Sequence, residues 1–281
     1  MKALLLAAAA FAAGAPAASA ATQTVRLEDL AARVVVMPEA RSDVKVEIRP
    51  GASDIAAPRL FWEGGQAVVR GTLDDSDLKN CRKSGKDFDT GNIVLHGRRN
   101  VAVKDLPVVI LHTPQDVVIN ADGAVVGEVG AARSVSLSHE RCGAWKFADV
   151  SGRLGLDIEG VADIYATRAG AAIVKLEGMG DVHLVSVGAF TADLEGMADI
   201  TVDRVNGPVD VSLEGMGDVR IKSGAATTFK ATLEGMGDVQ FDGVAASLDA
   251  SADGMGTIRV AQVTGAKRIS QSGFAKVKIA R

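Results

Sequence analysis

Apolar and polar residues alternate along the second half of this chain in short runs, and each pair of runs is separated by a glycine-containing turn. In the unit at 172–189, Val174 and Leu176 alternate with Lys175 and Glu177. A second alternating run follows the turn. Alternation with a period of two predicts β-strands, and no stretch sustains the 3.6-residue period of a helix. Each unit is therefore predicted to be strand, turn and strand.

A five-residue motif at the turn recurs along the chain. Glu-Gly-Met-Gly-Asp, or a close variant, begins at Glu177, Glu195, Glu214 and Glu234, and more divergent copies begin at Glu159, Asp253 and Ser272. The first glycines of successive copies are 18, 18, 19, 20, 19 and 19 residues apart. Such a period is the signature of a solenoid, in which each unit buries its apolar edge against its neighbours. We expect an all-β, right-handed parallel β-solenoid of 18–20-residue coils at 107–281.

Stacking in register would align equivalent residues of successive coils. Two inward ladders are predicted: Leu156, Val174, Ala192, Val211, Ala231 and Ala250, and beside them Ile158, Leu176, Leu194, Leu213, Leu233 and Ala252. A methionine column is predicted at the turn, formed by Met179, Met197, Met216, Met236 and Met255. We expect these thioethers to pack as core over the glycines; the alternative is an adaptable contact strip.

Residues 1–20 have the pattern of a secretory signal peptide. Met1-Lys2 precedes an apolar run that ends at Phe11, and Ala18-Ser19-Ala20 is a small-residue cleavage site, so cleavage is expected near Ala20. The apolar run is too short for a membrane helix, which needs about 20 residues. No cysteine stands directly after Ala20, so a bacterial lipid anchor is not expected. The sequence predicts a periplasmic or secreted protein without a transmembrane anchor.

Residues 21–106 lack the repeat and are predicted to form an N-terminal, strand-rich β cap. The sequence leaves open whether this region only caps the solenoid or continues its sheets. An exposed polar loop is expected at 74–92, and it holds Cys81, one of two cysteines. The other, Cys142, lies at the turn of an early coil. In an oxidising compartment a disulfide between them is favoured; two free thiols are the alternative, and no zinc-like ligand spacing accompanies them.

The signal peptide, the strand-rich segment and the Gly-x-Gly-Asp-Val turns at 178–182, 215–219 and 235–239 resemble the head GIN domain family. These are exported bacterial proteins described as autotransporter-adhesin-like. The family's usual turn is Ser-Gly-Ser-Gly-Asp, so the Glu and Met are departures here, as is the long loop with Cys81. The resemblance covers most of the chain after residue 20. It implies β-solenoid architecture and a cell-envelope location, and it supplies no catalytic residues.

Stacked carboxylates make calcium the most specific ligand hypothesis. Neighbouring carboxylates about 4.8 Å apart repel one another, and hard cations favour several oxygen ligands. The candidate ligands are Glu177, Asp181, Glu195, Asp199, Glu214, Asp218, Glu234 and Asp238. The competing interpretation is that the aspartates accept hydrogen bonds from turn amides while the glutamates are solvated.

The net charge and the breaks in the repeat narrow the functional classes that remain. A net charge of −4 argues against a nucleic-acid partner. An enzyme acting on polysaccharide is the alternative function, but its active site should break the repeat, and the breaks at Tyr165, His183 and Arg220 are spread over several coils. All four histidines are expected at the surface or in turns. We therefore expect a non-catalytic exported envelope protein, adhesin-like or an interaction scaffold, whose partner is a protein or a glycan. A calcium-stabilised scaffold is the second alternative.

Overall fold

The structure is a computed structural model that describes residues 23–84, 90–97 and 100–280. The predicted signal peptide lies outside the described residues. The N-terminal elements are β1 (Thr24–Pro38), β2 (Lys45–Arg49), β3 (Arg59–Glu63), β4 (Gln66–Arg70), α1 (Asp75–Leu78), β5 (Arg82–Ser84), β6 (Asn92–Val94), β7 (Asn100–Ala102), a 3-10 helix (Val103–Asp105) and β8 (Val108–Thr113). The stack continues through β9 (Asp116–Val129), β10 (Ser134–His139), β11 (Cys142–Phe147), β12 (Val150–Ile158), β13 (Val161–Leu176), β14 (Met179–Leu194), β15 (Met197–Asn206) and β16 (Val209–Leu213). It ends with β17 (Val219–Ile221), β18 (Gly224–Ala226), β19 (Phe229–Leu233), β20 (Met236–Ala245), β21 (Leu248–Ala252), β22 (Met255–Val263), β23 (Lys267–Gln271) and β24 (Lys276–Ile279).

The fold is a parallel β-solenoid of about nine turns, as the repeat predicts. One sheet stacks the first strand of each coil: β10, β12, the end of β13, the end of β14, β16, β19, β21 and β23 pair in parallel in that order. The other sheet stacks the second strands, from β11 through β13, β14, β15, β17, β20 and β22 to β24. Equivalent residues of successive coils are therefore direct neighbours, and we call each level of this stack a rung.

Small aliphatic side chains fill the space between the two sheets. Every residue of the two predicted inward ladders is buried, with at most 3% of its surface exposed. Phenylalanines enlarge the core in the later rungs, where the rings of Phe229 and Phe241 stack 5.1 Å apart. Alternation alone places these residues, because successive side chains of a strand point to opposite faces.

The N-terminal segment both joins the stack and closes its end. Strand β1 pairs in parallel with β9 along 12 register positions, so residues within the predicted cap region form a rung of their own. On its far side β1 pairs in parallel with β4 and β8. The antiparallel strands β2 and β3 then cover β8 and β4. This arrangement pairs the first rung's edge, which would otherwise be open to association with other strands.

A small second core forms where the sequence predicts an exposed polar loop. Within 74–92, a helix turn is capped by Asp74, whose carboxylate accepts the backbone N–H of Asp77, and Leu78 is buried. Leu78, Cys81 and Ile93 pack with residues from the first coils. The predicted Cys81–Cys142 disulfide is confirmed, with the two Cα atoms 5.7 Å apart. The disulfide to the solenoid and the burial of these apolar side chains explain why the described parts of the segment, 74–84 and 90–92, are structured.

Glycines at the turn let one coil lie directly on the next. A Cβ atom on Gly215 would lie 2.0 Å from the carbonyl oxygen of Gly196 on the preceding rung. One on Gly237 would lie 1.8 Å from the carbonyl oxygen of Gly217, and Gly237 also has a φ of 146°. The glycine repeat therefore reflects backbone-to-backbone contact between coils, besides the needs of the turn.

Substituting Gly215→Ala should destabilise the protein by about 1–3 kcal/mol, because the added methyl overlaps a backbone atom that cannot move independently. The matched control is Gly155→Ala, since a Cβ there would meet the carbonyl oxygen of Val135 at an ordinary 3.8 Å. The midpoint of urea unfolding measures both variants. Equal midpoints for the two would show that the coils at Gly215 are not in the contact described.

Candidate interaction surface

The turn motif forms a continuous exposed edge, which we call the turn ridge. It comprises Glu177, Glu195, Glu214 and Glu234; Met179, Met197, Met216, Met236 and Met255; and Asp181, Asp199, Asp218 and Asp238. The five methionines are 43% to 53% exposed. The prediction that they pack as core is wrong. Since Leu176 and Val182 point inward, alternation through the turn puts the two glycines in the inward phase and the methionine outward.

The aspartates of the ridge tie successive rungs together. The Oδ1 atom of Asp199 accepts the backbone N–H of Asp218 at 2.9 Å, and that of Asp218 accepts the N–H of Asp238 at 2.8 Å. The Oδ1 atom of Asp238 accepts the N–H of Thr257 at 2.7 Å. These bonds confirm the interpretation that aspartates satisfy turn amides. They also hold these carboxylates in ordered positions at the surface.

The glutamates of the ridge are exposed and little neutralised. Glu177 forms a salt bridge with Lys175. Within the described part of the chain, Glu195, Glu214 and Glu234 form no salt bridge with a basic side chain. The hydrogen bond to Glu177, and more weakly the charge of Glu195, raises the pKa of Lys175, so Glu195 is partly neutralised. Among the described residues, the two successive rungs of Glu214 and Glu234 therefore present an unpaired negative charge beside an exposed thioether.

Asp181 is the stacked carboxylate whose proton affinity is raised, and the columns do not form a recognisable metal site. Burial, and then the negative charges of Asp163 and Asp199, raise the pKa of Asp181. Among the residues that the structure describes, no three His, Cys, Asp or Glu side chains converge in a way that could hold a metal ion. The eight predicted calcium ligands thus lie in two extended columns along the ridge, and calcium binding stays a prediction.

The predicted breaks in the repeat are only partly brought together. The rings of Tyr165 and His183 meet edge to face, with centroids 5.4 Å apart. His183 Nε2 lies 2.9 Å from Asp203 Oδ2, and Lys222 donates to Asp203 Oδ1 at 2.9 Å. The bond from Lys222, and then that from His183, lowers the pKa of Asp203. Arg220 instead bonds Asp242, so these side chains form separate pairs on an open face.

A groove of about 550 Å³ crosses five rungs on another face, and sequence reasoning missed it. Asp210, Lys230, Asp249 and Arg268 line it in register on successive rungs. Lys230 bonds Asp210 at 3.2 Å and Arg268 bonds Asp249 at 3.4 Å. The alternation of sign was visible in the sequence at these equivalent positions, but its meaning depends on stacking. The charges of the groove largely satisfy one another.

His139 is fully buried, so the prediction that it lies at the surface or in a turn is wrong. It pairs in register with Ile158 and continues the inward ladder of β10. The indole N–H of Trp145 donates to His139 Nδ1 at 3.3 Å, while Nε2 has no hydrogen-bond partner among the residues that the structure describes. Burial lowers the pKa of His139 to about 4, against a weaker upward effect of Asp122. This histidine is neutral at pH 7 and structural.

No helix in the described residues has the length and apolar character needed to cross a membrane. Comparison of the chain with protein-family models and with curated protein sequences gives no match.

Proposed function

We propose that this protein is a non-catalytic, exported cell-envelope module that binds a positively charged partner along its turn ridge. The observation that carries the proposal is the repetition of an exposed carboxylate–methionine–carboxylate triplet on successive rungs. A catalytic site needs unlike groups converging on one reacting atom. The ridge offers like groups in a line, which suits an extended contact with a linear or repetitive partner.

The unpaired charges and the exposed methionines also favour the ridge as the surface that contacts the partner. Among the described residues, Glu214 and Glu234 have unpaired charges, whereas the groove residues are paired with each other. Complementary charge steers association and sets specificity. The methionines add flexible, polarizable apolar area that adapts to a partner's shape.

The exported location rests on the sequence. The signal-peptide pattern at 1–20 and the resemblance of the Gly-x-Gly-Asp-Val turns to the head GIN domain family both support an envelope role. The buried disulfide fits an oxidising compartment. An adhesin-like or scaffolding module of the periplasm or cell surface is the proposed class.

The test is co-sedimentation of the purified protein with washed bacterial envelope fragments over a range of salt concentrations. The ridge variant Glu214→Gln/Glu234→Gln loses two exposed charges that are each worth up to about 1 kcal/mol, so binding should weaken by up to about 30-fold. Salt should weaken wild-type binding in the same direction.

The groove variant Asp210→Asn/Asp249→Asn is the matched control, because it changes the net charge equally on another face. It should retain wild-type binding. Absence of wild-type binding, or equal losses in the two variants, would count against the ridge as the contact.

The groove supports a second candidate function, hydrolysis or lyase cleavage of an acidic polysaccharide. Asp210 and Asp249 lie two rungs apart, so their backbones are about 9.6 Å apart along the stack. This spacing is close to the upper limit of the roughly 6.5–9.5 Å that separates the two carboxyl groups of inverting glycosidases. Lys230 and Arg268 would bind sugar carboxylates. New reducing ends or unsaturated products from an acidic polysaccharide, lost in the groove variant, would favour this candidate over the ridge.

A further inference from the structure

We propose that the methionine column of the turn ridge binds a soft monovalent cation, Cu(I) or Ag(I), between thioethers of adjacent rungs. Thioether sulfur is a soft ligand that selects Cu(I) over hard ions such as calcium. The inference goes beyond the proposed function. It does not depend on that function, because the thioethers could bind an ion whether or not an envelope partner contacts the ridge.

The register supplies the first argument. Met179 pairs with Met197, Met197 with Met216, Met216 with Met236, and Met236 with Met255. Adjacent rungs of a sheet are about 4.8 Å apart. With metal–sulfur bonds of about 2.3 Å, the length of a zinc–sulfur bond, two sulfurs on one metal lie up to about 4.6 Å apart. Neighbouring thioethers on flexible side chains therefore match the span of a two-coordinate soft ion.

Exposure and composition supply the second argument. Five of the seven methionines of the chain stand in this column, and all five are at least 43% exposed. Packing of the core does not explain them, because Leu176, Val182 and their equivalents fill the interior. A thioether on a side chain exposed to this extent can be reached by a metal ion from solvent.

Charge supplies the third argument. The column runs between the glutamates and the aspartates of the ridge, so a cation bound to neutral thioethers lies in a negative local field. Asp199, Asp218 and Asp238 are held in place by the next rung's amide, so this field is fixed.

Two variants with equal numbers of methionines test the register directly. Met197→Leu/Met236→Leu leaves Met179, Met216 and Met255, which are about 9.6 Å apart and too far apart to share one ion. Met179→Leu/Met255→Leu leaves Met197, Met216 and Met236 on adjacent rungs. Met37→Leu removes a methionine that is 44% exposed but lies outside the column. Exchanges of Met for Leu conserve volume, and these side chains are exposed, so all variants should fold.

The purified protein, labelled at the methionine methyl groups, is titrated with silver nitrate in chloride-free buffer and followed by NMR. In the wild type we expect saturable shifts of the five column methyls and none at Met37. Separating the thioethers removes the second, intramolecular bond, so the alternate-rung variant should bind at least about tenfold more weakly than the terminal-rung variant. Competition for Cu(I) with bathocuproine disulfonate under anaerobic conditions should rank the variants in the same order.

Oxidation gives an independent readout. Bound Ag(I) should protect the column methionines, and not Met37, from conversion to the sulfoxide by hydrogen peroxide, as counted by mass spectrometry. The proposal is overturned if the wild type shows no methyl shifts up to several equivalents of Ag(I). It is equally overturned if the alternate-rung and terminal-rung variants bind alike, because binding would then not use adjacent rungs.

Discussion

Replacing both cysteines, Cys81→Ala/Cys142→Ala, should lower the free energy of unfolding by about 4 kcal/mol. The bridge closes a span of 61 residues, and a loop of that length loses about this much chain entropy in the unfolded state when it is cross-linked. Both cysteines are buried in the second core, so the loss should also loosen the segment around Leu78 and Ile93. Urea unfolding of the oxidised wild type and the variant measures the difference.

Reduction distinguishes the bridge from the packing of its side chains. Reduced wild type should unfold at nearly the urea midpoint of the double variant, and reductant should leave the double variant unchanged. A reduced wild type as stable as the oxidised form would mean that the bridge does not constrain the unfolded chain as described.

Acidification from pH 6.5 to pH 4 should cost the protein about 3 kcal/mol through His139 alone. Its pKa is about 4 in the folded protein and about 6.5 when unfolded, so between these values the unfolded state binds the additional proton. Stability therefore rises with pH across this window, is complete above about 6.5, and is lost as the pH falls toward 4. The expected size follows from about 1.4 kcal/mol per pKa unit.

The variant His139→Gln isolates this contribution, because glutamine keeps an acceptor for the indole of Trp145 and does not titrate. Between pH 6.5 and pH 4 the free energy of unfolding of this variant should fall by about 3 kcal/mol less than that of the wild type. This expectation holds whatever the absolute stability of the variant. Carboxylates that titrate in the same range are present in both proteins and cancel in the difference. A wild-type slope in His139→Gln would refute the assignment.

The fold was predictable because the sequence repeat determines both the strands and their stacking. Alternation identifies strands, and a period of 18–20 residues requires stacking, so the inward ladders through Leu176 and Val174 could be named residue by residue. The disulfide was predictable from the predicted oxidising compartment and the count of two cysteines. The burial of His139 could also have been predicted, because it lies two residues beyond the inward-facing Leu137 in the same strand.

The surface was harder to predict because its chemistry depends on phase and neighbours. The methionines were assigned to the core from their apolar character, although alternation on both sides of the turn puts Met179 outward with Glu177 and Asp181. The groove is lined by residues of five rungs, so it cannot be recognised from any single segment of the sequence. The second core around Leu78 depends on contacts across 61 residues of sequence, the separation of the bridged cysteines.

A graded series along the turn ridge tests the central claim that function resides in a repeated surface. Binding to envelope fragments is measured for Glu214→Gln, for Glu214→Gln/Glu234→Gln, and for the triple variant that adds Glu195→Gln. The account predicts that each glutamate removed weakens binding by a similar free-energy increment, as expected for separate and equivalent contacts. Complete loss on the first substitution, or no loss in the triple variant, would contradict it.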